Sequence, residues 1–258
     1  ISPVPRSEPR AGLPSRPGEG SERGPRVALV IGNAAYSNVP SLANPVSDAR
    51  EMSSALRELG FKVIEGYDLD SSTMRSKIAE FGAALPGAGV SLFYYAGHGM
   101  QVSGKNYLVP VDAKVERPSA LGTEAIEVNA VIADMEAEKR INLVFLDACR
   151  DNPLSRNLAR SMGAGSRSTA VGQGLAQVNA GIGTLITFAT SPDTIALDGS
   201  GRNSPFTQAM LKYIRTPGLE IRSMLTRVRA DVIRATNEQQ VPWDHSSLTG
   251  DFYFKPGS

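Results

Sequence analysis

From residue 26 to near the C-terminus, short apolar runs alternate with longer segments in which apolar residues recur every three or four positions. Residues 26–32 form a β-branched apolar run closed by a glycine, and Asn44-Pro45 then supplies an N-cap and a first-turn proline. Val46, Ala49, Met52, Leu56 and Leu59 follow at helical spacing and place one apolar stripe on that helix. The alternation continues with a strand over 61–66, a helix over 71–85 and a strand over 90–96, then a helix over 124–138 and a strand over 141–147. Beyond residue 182 it predicts a strand over 184–190, helices near 204–215 and 218–237, and a last strand around 251–254. Strands apolar at every position, such as 90–96 and 141–146, belong in a parallel sheet covered on both faces. The pattern therefore predicts an α/β fold: a doubly wound, mostly parallel sheet of about six strands flanked by helices.

Two segments stand outside this alternation. Residues 1–25 are rich in Pro, Gly, Ser, Arg and Glu with almost no large apolar side chain, and read as a flexible linker or pro-segment before a domain spanning 26–258. The stretch from 150 to about 182 is rich in Gly, Ser and Arg, as an exposed loop would be. Apolar residues are 41% and charged residues 21% of the 258-residue chain, an ordinary globular balance. A formal net charge of +1 gives no bulk electrostatic case for nucleic acid or an anionic membrane. No apolar run reaches the roughly 18 residues of a membrane span. The chain starts at Ile1 rather than Met, which fits removal of an upstream targeting segment and leaves localisation open between cytoplasm and export.

Candidate chemistry follows from where ligands collect on open parallel sheets, at the carboxyl ends of the strands. The strand over 90–96 runs into Gly97-His98-Gly99, and the strand over 141–147 runs into Ala148-Cys149-Arg150-Asp151. One of only two histidines and the only cysteine thus stand at equivalent strand ends. An imidazole beside a thiol takes its proton and stabilises the thiolate. The flanking glycines let backbone approach closely, so that Gly99 and Cys149 N–H groups could hold an oxyanion. Taken singly, Cys149 would read as a small core residue and His98 as a satisfied loop histidine; their shared location favours catalysis. One cysteine excludes an internal disulfide framework and a multi-cysteine metal site. His245, in Pro242-Trp243-Asp244-His245-Ser246, reads as a surface loop residue, and Trp243 as a packing residue or the floor of a substrate subsite.

In Val27–Asn33, Tyr95–Gly99, Asn106–Asp112 and Asp147–Asn152 the chain resembles the caspase, metacaspase and paracaspase superfamily, and within it the bacterial orthocaspases, over roughly residues 26–254. A histidine about 50 residues before the nucleophile belongs to that resemblance; here the interval is 51. The resemblance implies a cysteine endopeptidase with Cys149 as nucleophile, His98 as general base, and the Gly99 and Cys149 amides as oxyanion hole. Caspases carry glutamine where this chain has Asp147, and an arginine before the first helix where this chain has no Lys or Arg between Gly32 and Arg50. Asp48 and Asp147 instead look like the metacaspase pair that binds a basic side chain, so peptide and protein substrates with Arg, less readily Lys, at P1 are implied. Each acid also has a structural role open to it, Asp48 in the first turn of a helix and Asp147 beside local amides.

An Arg-selective enzyme would find cleavage sites of its own at Arg156, Arg160 and Arg167, and in the N-terminal segment at Arg6, Arg10, Arg16 and Arg23. No cofactor is required by this chemistry. Many metacaspases need calcium, which keeps that ion open; Asp112, Asp151 and Asp193 would be hard ligands if loops gathered them, although no compact ligand run occurs. A monomer is the simpler assembly. The opposing possibility is a signalling or scaffold protein that keeps the fold for binding alone, against which stands the presence of both His98 and Cys149. No Gly-x-Ser-x-Gly elbow or phosphate-cradling glycine loop supports another hydrolase.

Overall fold

The computed structural model describes residues 24–149, 158, 171–172, 175–176, 178, 180–191, 196–197 and 201–257, without the side chains of Cys149, Val171 and Gly172. Its main sheet runs in the order β2 (Phe61–Tyr67), β1 (Arg26–Gly32), β3 (Val90–Val102), β6 (Ile141–Cys149), β8 (Thr184–Phe188) and β9 (Trp243–Ser246). The first five are mutually parallel, β9 closes the edge antiparallel to β8, and the two-residue β7 (Val171–Gly172) pairs antiparallel with the far end of β3.

Side-chain alternation explains why the central strands read as continuously apolar. Ala28, Val30, Leu92, Tyr94, Leu143 and Phe145 bury themselves with residues of α1 (Pro45–Glu58), α5 (Pro205–Tyr213) and α6 (Ile221–Ala235) on one face. Leu29, Ile31, Phe93, Tyr95, Val144 and Leu146 pack with α2 (Ser71–Ala84) and α4 (Val128–Glu136) on the other. No helix among the described residues is long and apolar enough to cross a membrane.

Four elements differ from the pattern reading. β3 does not stop at Ala96 but continues through Gly97-His98-Gly99 to Val102, and β6 continues through Asp147 to Cys149. Beyond its parallel neighbours β3 turns back on itself: Ser103 and Gly104 both take positive φ, at 51° and 77°, and form a two-residue hairpin to β4 (Lys105–Leu108). The expected helix over 124–138 is divided into a short α3 (Leu121–Glu124), the two-residue β5 (Ile126–Glu127) that pairs with β4, and α4. The expected last strand over 251–254 is reduced to one bridge between Glu220 and Tyr253. Phe252 and Phe254 still point into the core, which accounts for the alternation that suggested a strand. The sixth strand is β9, so His245 lies within the sheet, opposite Ile186, and not in a loop. Trp243, opposite Phe188, is 44% exposed rather than packed away.

Candidate active site

The site is laid out by strand register at the carboxyl ends of β3 and β6. Ala96 lies opposite Asp147, Gly97 opposite Ala148 and His98 opposite Cys149. Paired strands run about 4.8 Å apart, so the histidine and cysteine are backbone neighbours although 51 residues separate them in sequence.

His98 is held on every side. Its Nε2 lies 2.9 Å from the Pro40 carbonyl oxygen. A carbonyl only accepts, so Nε2 carries the proton and Nδ1 is the basic nitrogen of the neutral ring. The Tyr36 ring packs against the imidazole at 4.5 Å between centroids. Its hydroxyl accepts the His98 N–H at 2.7 Å, while the Tyr95 hydroxyl donates to the His98 carbonyl at 2.8 Å. Those two hydroxyls fill the space over Gly97, whose φ is +151°, and a Cβ there would meet them at 2.6 and 2.7 Å. Gly97→Ala is therefore expected to destabilise the protein by about 1–3 kcal/mol, from backbone strain and displacement of the tyrosines. Chemical denaturation beside a peptide-hydrolysis assay checks this: stability and turnover should fall together, and a loss of stability below 0.5 kcal/mol would contradict the crowding, on the scale of roughly 1 kcal/mol expected for one strained residue.

The Gly99 amide is placed by hydrogen-bond alternation. Val109 donates to the His98 carbonyl at 3.1 Å across the edge of β3 that faces β4. In an antiparallel ladder the next residue points its N–H the other way. Gly99, opposite Leu108, thus turns its N–H toward the β6 edge, where Cys149 stands. A Cβ on Gly99 would crowd Ala148 and Leu175, both at 3.1 Å, so glycine permits the close strand approach at this point.

Asp48 and Asp147, far apart in sequence, come together around one residue. Asp48, in the first turn of α1, is 1% exposed, and Asp147 near the end of β6 is 7% exposed. The Ser204 N–H donates to Asp48 Oδ1 at 3.1 Å, and the Asn203 side-chain amide donates to the same oxygen at 2.9 Å. The Ser204 hydroxyl donates to Asp147 Oδ2 in a short bond, joined there by the Thr207 hydroxyl at 2.9 Å. Tyr94 completes the group, its hydroxyl 2.6 Å from Thr207 Oγ1. Burial first, then the charges of Asp48 and Asp147, push the Tyr94 phenol well above its ordinary range, so it stays protonated. The loop before α5 is fastened to α1 as well, through Ser47 Oγ to the Arg202 carbonyl at 2.5 Å and Arg202 to Glu51 at 2.8 Å.

Pattern reading missed Tyr36, Tyr94, Tyr95, Pro40, Asn203, Ser204 and Thr207. The only sequence signal among them was Ser204-Pro205, a cap followed by a first-turn proline, and it spoke only of a helix start. Arg156, Arg160, Arg167, Asp151, Asp193 and the arginines before residue 24 lie outside the described residues. Asp112 accepts the Ser71 N–H at 2.9 Å, at the start of α2. Among the described residues no three His, Cys, Asp or Glu side chains gather closely enough to hold a metal ion.

This arrangement has relatives. The caspase-domain family model matches residues 25–253. Over 127 residues the chain is 39% identical to mucosa-associated lymphoid tissue lymphoma translocation protein 1 of Homo sapiens and 38% identical to its homologue in Mus musculus. Those alignments take in 48% of this chain and only 15% of either relative. In fold it is similar to caspase-1 from Spodoptera frugiperda, with a TM-score of 0.66 over 99% of this chain and all of that one at 20% identity. A sheet that sets a histidine opposite a cysteine, inside a family match that spans nearly the whole described chain, leads to one assignment: the protein belongs to the caspase-domain family of cysteine peptidases.

Proposed function

We propose that the chain is an endopeptidase that cleaves after arginine, and less readily after lysine, with Cys149 as nucleophile and His98 as base. The observation that carries this reading is the registration of His98 against Cys149 with the imidazole Nε2–H turned to Pro40, which aligns the basic Nδ1 as proton acceptor. In the reaction, His98 takes the Cys149 proton and the sulfur attacks the scissile carbonyl carbon. The oxyanion is held by the Gly99 and Cys149 amides. Collapse breaks the C–N bond, the leaving amine takes the proton from His98, and a thioester remains. Water, deprotonated by His98, attacks the thioester, and the thiol departs with its proton restored.

Selectivity rests on the two buried carboxylates. A guanidinium brings a delocalised charge and a fork of donors to such a pair, lysine brings a point charge, and an aspartate would be repelled. This acidic pair supports reading the chain as nearer to metacaspases than to caspases in its selectivity. No cofactor enters the reaction as written. Fluorogenic peptides ending in Arg, Lys or Asp, assayed with and without calcium, test the proposal: Arg should lead, Lys follow and Asp be refractory, and equal rates on Arg and Asp would overturn it.

Self-processing follows from the same selectivity, since arginines occur throughout the sequence stretch after the nucleophile and the N-terminal segment. Incubated protein should yield new termini after Arg156, Arg160 or Arg167, mapped by mass spectrometry, while a Cys149→Ala sample stays intact. A wild type that hydrolyses Arg peptides yet remains whole would refute processing.

A further inference from the structure

We propose that Ser204, seconded by Thr207, is the positioning residue that keeps Asp48 and Asp147 together as a charged receptor for a basic P1 side chain. This rests on the acidic-pair reading above and adds the cause of the pair's charge.

Two carboxylates buried side by side repel one another and lose hydration, and both effects favour protonation unless donors stabilise the anions. Ser204 supplies such donors to both at once. As N-cap of α5 it accepts the Thr207 N–H on its hydroxyl oxygen at 3.0 Å, which leaves the hydroxyl proton for Asp147 and the backbone N–H for Asp48. Thr207 lies three positions on, and its hydroxyl proton also goes to Asp147.

The donors form a connected chain that ends on Asp147. An ionised carboxylate can only accept, so with Asp147 charged every proton in the chain has one place to go. Thr207 and Ser204 donate to Asp147, which leaves the Tyr94 hydroxyl as the donor to Thr207. Ser204 is 3% exposed and Thr207 and Tyr94 are fully buried, so water does not substitute for these donors. The start of α5, with its partial positive charge, lies against the same two acids. Ser204, Thr207 and Tyr94 thus direct a chain of buried donors onto the acidic pair, as suits a pocket that receives a substrate cation.

Paired peptides that differ only at P1, one with arginine and one with citrulline, its neutral urea analogue, separate the charge-dependent part of binding from the rest. In Ser204→Ala, kcat/KM on the arginine peptide should fall about 10–100-fold, the worth of a lost hydrogen bond to a charged group. The fall should sit mainly in KM, and the citrulline peptide should be unchanged within about twofold. Ser204→Thr, which retains the cap and the hydroxyl, should restore most of the arginine rate. Because Ser204→Ala also weakens a helix cap, Thr207→Val provides a second test: it removes a donor to Asp147, keeps the side-chain shape, and should cut the arginine rate about tenfold with the citrulline rate intact. Equal losses on both peptides in both variants, or no loss in either, would overturn the proposal. A wild type that does not favour arginine over citrulline would instead overturn the acidic-pair reading beneath it.

Discussion

Cys149→Ala and His98→Ala are each expected to lower peptide hydrolysis by more than about a thousandfold while leaving the folded structure in place. The two residues act as one unit, since the thiol is a weak nucleophile until the imidazole takes its proton, and the imidazole has no role without the sulfur. The double variant should therefore be scarcely worse than either single one. β3 and β6 are held by their backbone ladders and by apolar residues on both faces, which neither change touches. Near-native circular dichroism and unfolding midpoints beside an absent rate would meet the expectation. Turnover like that of wild type in either variant would remove the assignment. Alkylation gives a second reading, because iodoacetamide should modify Cys149 quickly near neutral pH and more slowly in His98→Ala, where the thiolate has lost its partner.

The second large effect belongs to the acids. Asp147→Asn and Asp48→Asn should each remove most of the preference for arginine, lowering kcat/KM on Arg peptides by two to three orders of magnitude. That corresponds to the roughly 2–5 kcal/mol that a desolvated charge pair loses when one partner is neutralised. The Ser204 and Thr207 hydroxyls both donate to Asp147 Oδ2, and the Ser204 N–H and the Asn203 amide both donate to Asp48 Oδ1. In either variant an asparagine oxygen can keep accepting these bonds, so what each change removes is the negative charge. The ratio of rates on Arg and Asp peptides is the measurement, and a ratio unchanged in both variants would exclude these residues from the pocket.

Much of the fold was legible because parallel strands buried on both faces leave an unmistakable run of apolar residues, and α1 announces its start with Asn44-Pro45. Chemistry was legible where rarity helped: a lone cysteine and one of two histidines fell on equivalent strand ends. What failed to show has physical causes. Gly97 and Gly99 are poor strand formers, so the extension of β3 through His98 looked like a loop, although the register holds these residues in the sheet. Trp243–Ser246 is short, polar and at the sheet edge, and so carries no alternation to detect. The convergence on Ser204 joins Asp48, 156 positions away in sequence, to Asp147, 57 positions away. Read locally, that serine is a helix cap and nothing else. Asp48, read from its own helix, is an ordinary first-turn acid, and its pairing with Asp147 was legible only through the resemblance to metacaspases.

The seating of His98 within a strand ties function to sheet register. Neighbouring residues along a strand face opposite sides, so sliding β3 by a single position against β6 would present Gly97 or Gly99 to Cys149 and send the imidazole to the far side of the sheet. Turnover would then vanish even though secondary-structure content and compactness scarcely changed. Peptidase activity in this protein thus doubles as a gauge of correct strand alignment at its centre, and a refolding protocol could be scored by catalysis where spectroscopy would be blind.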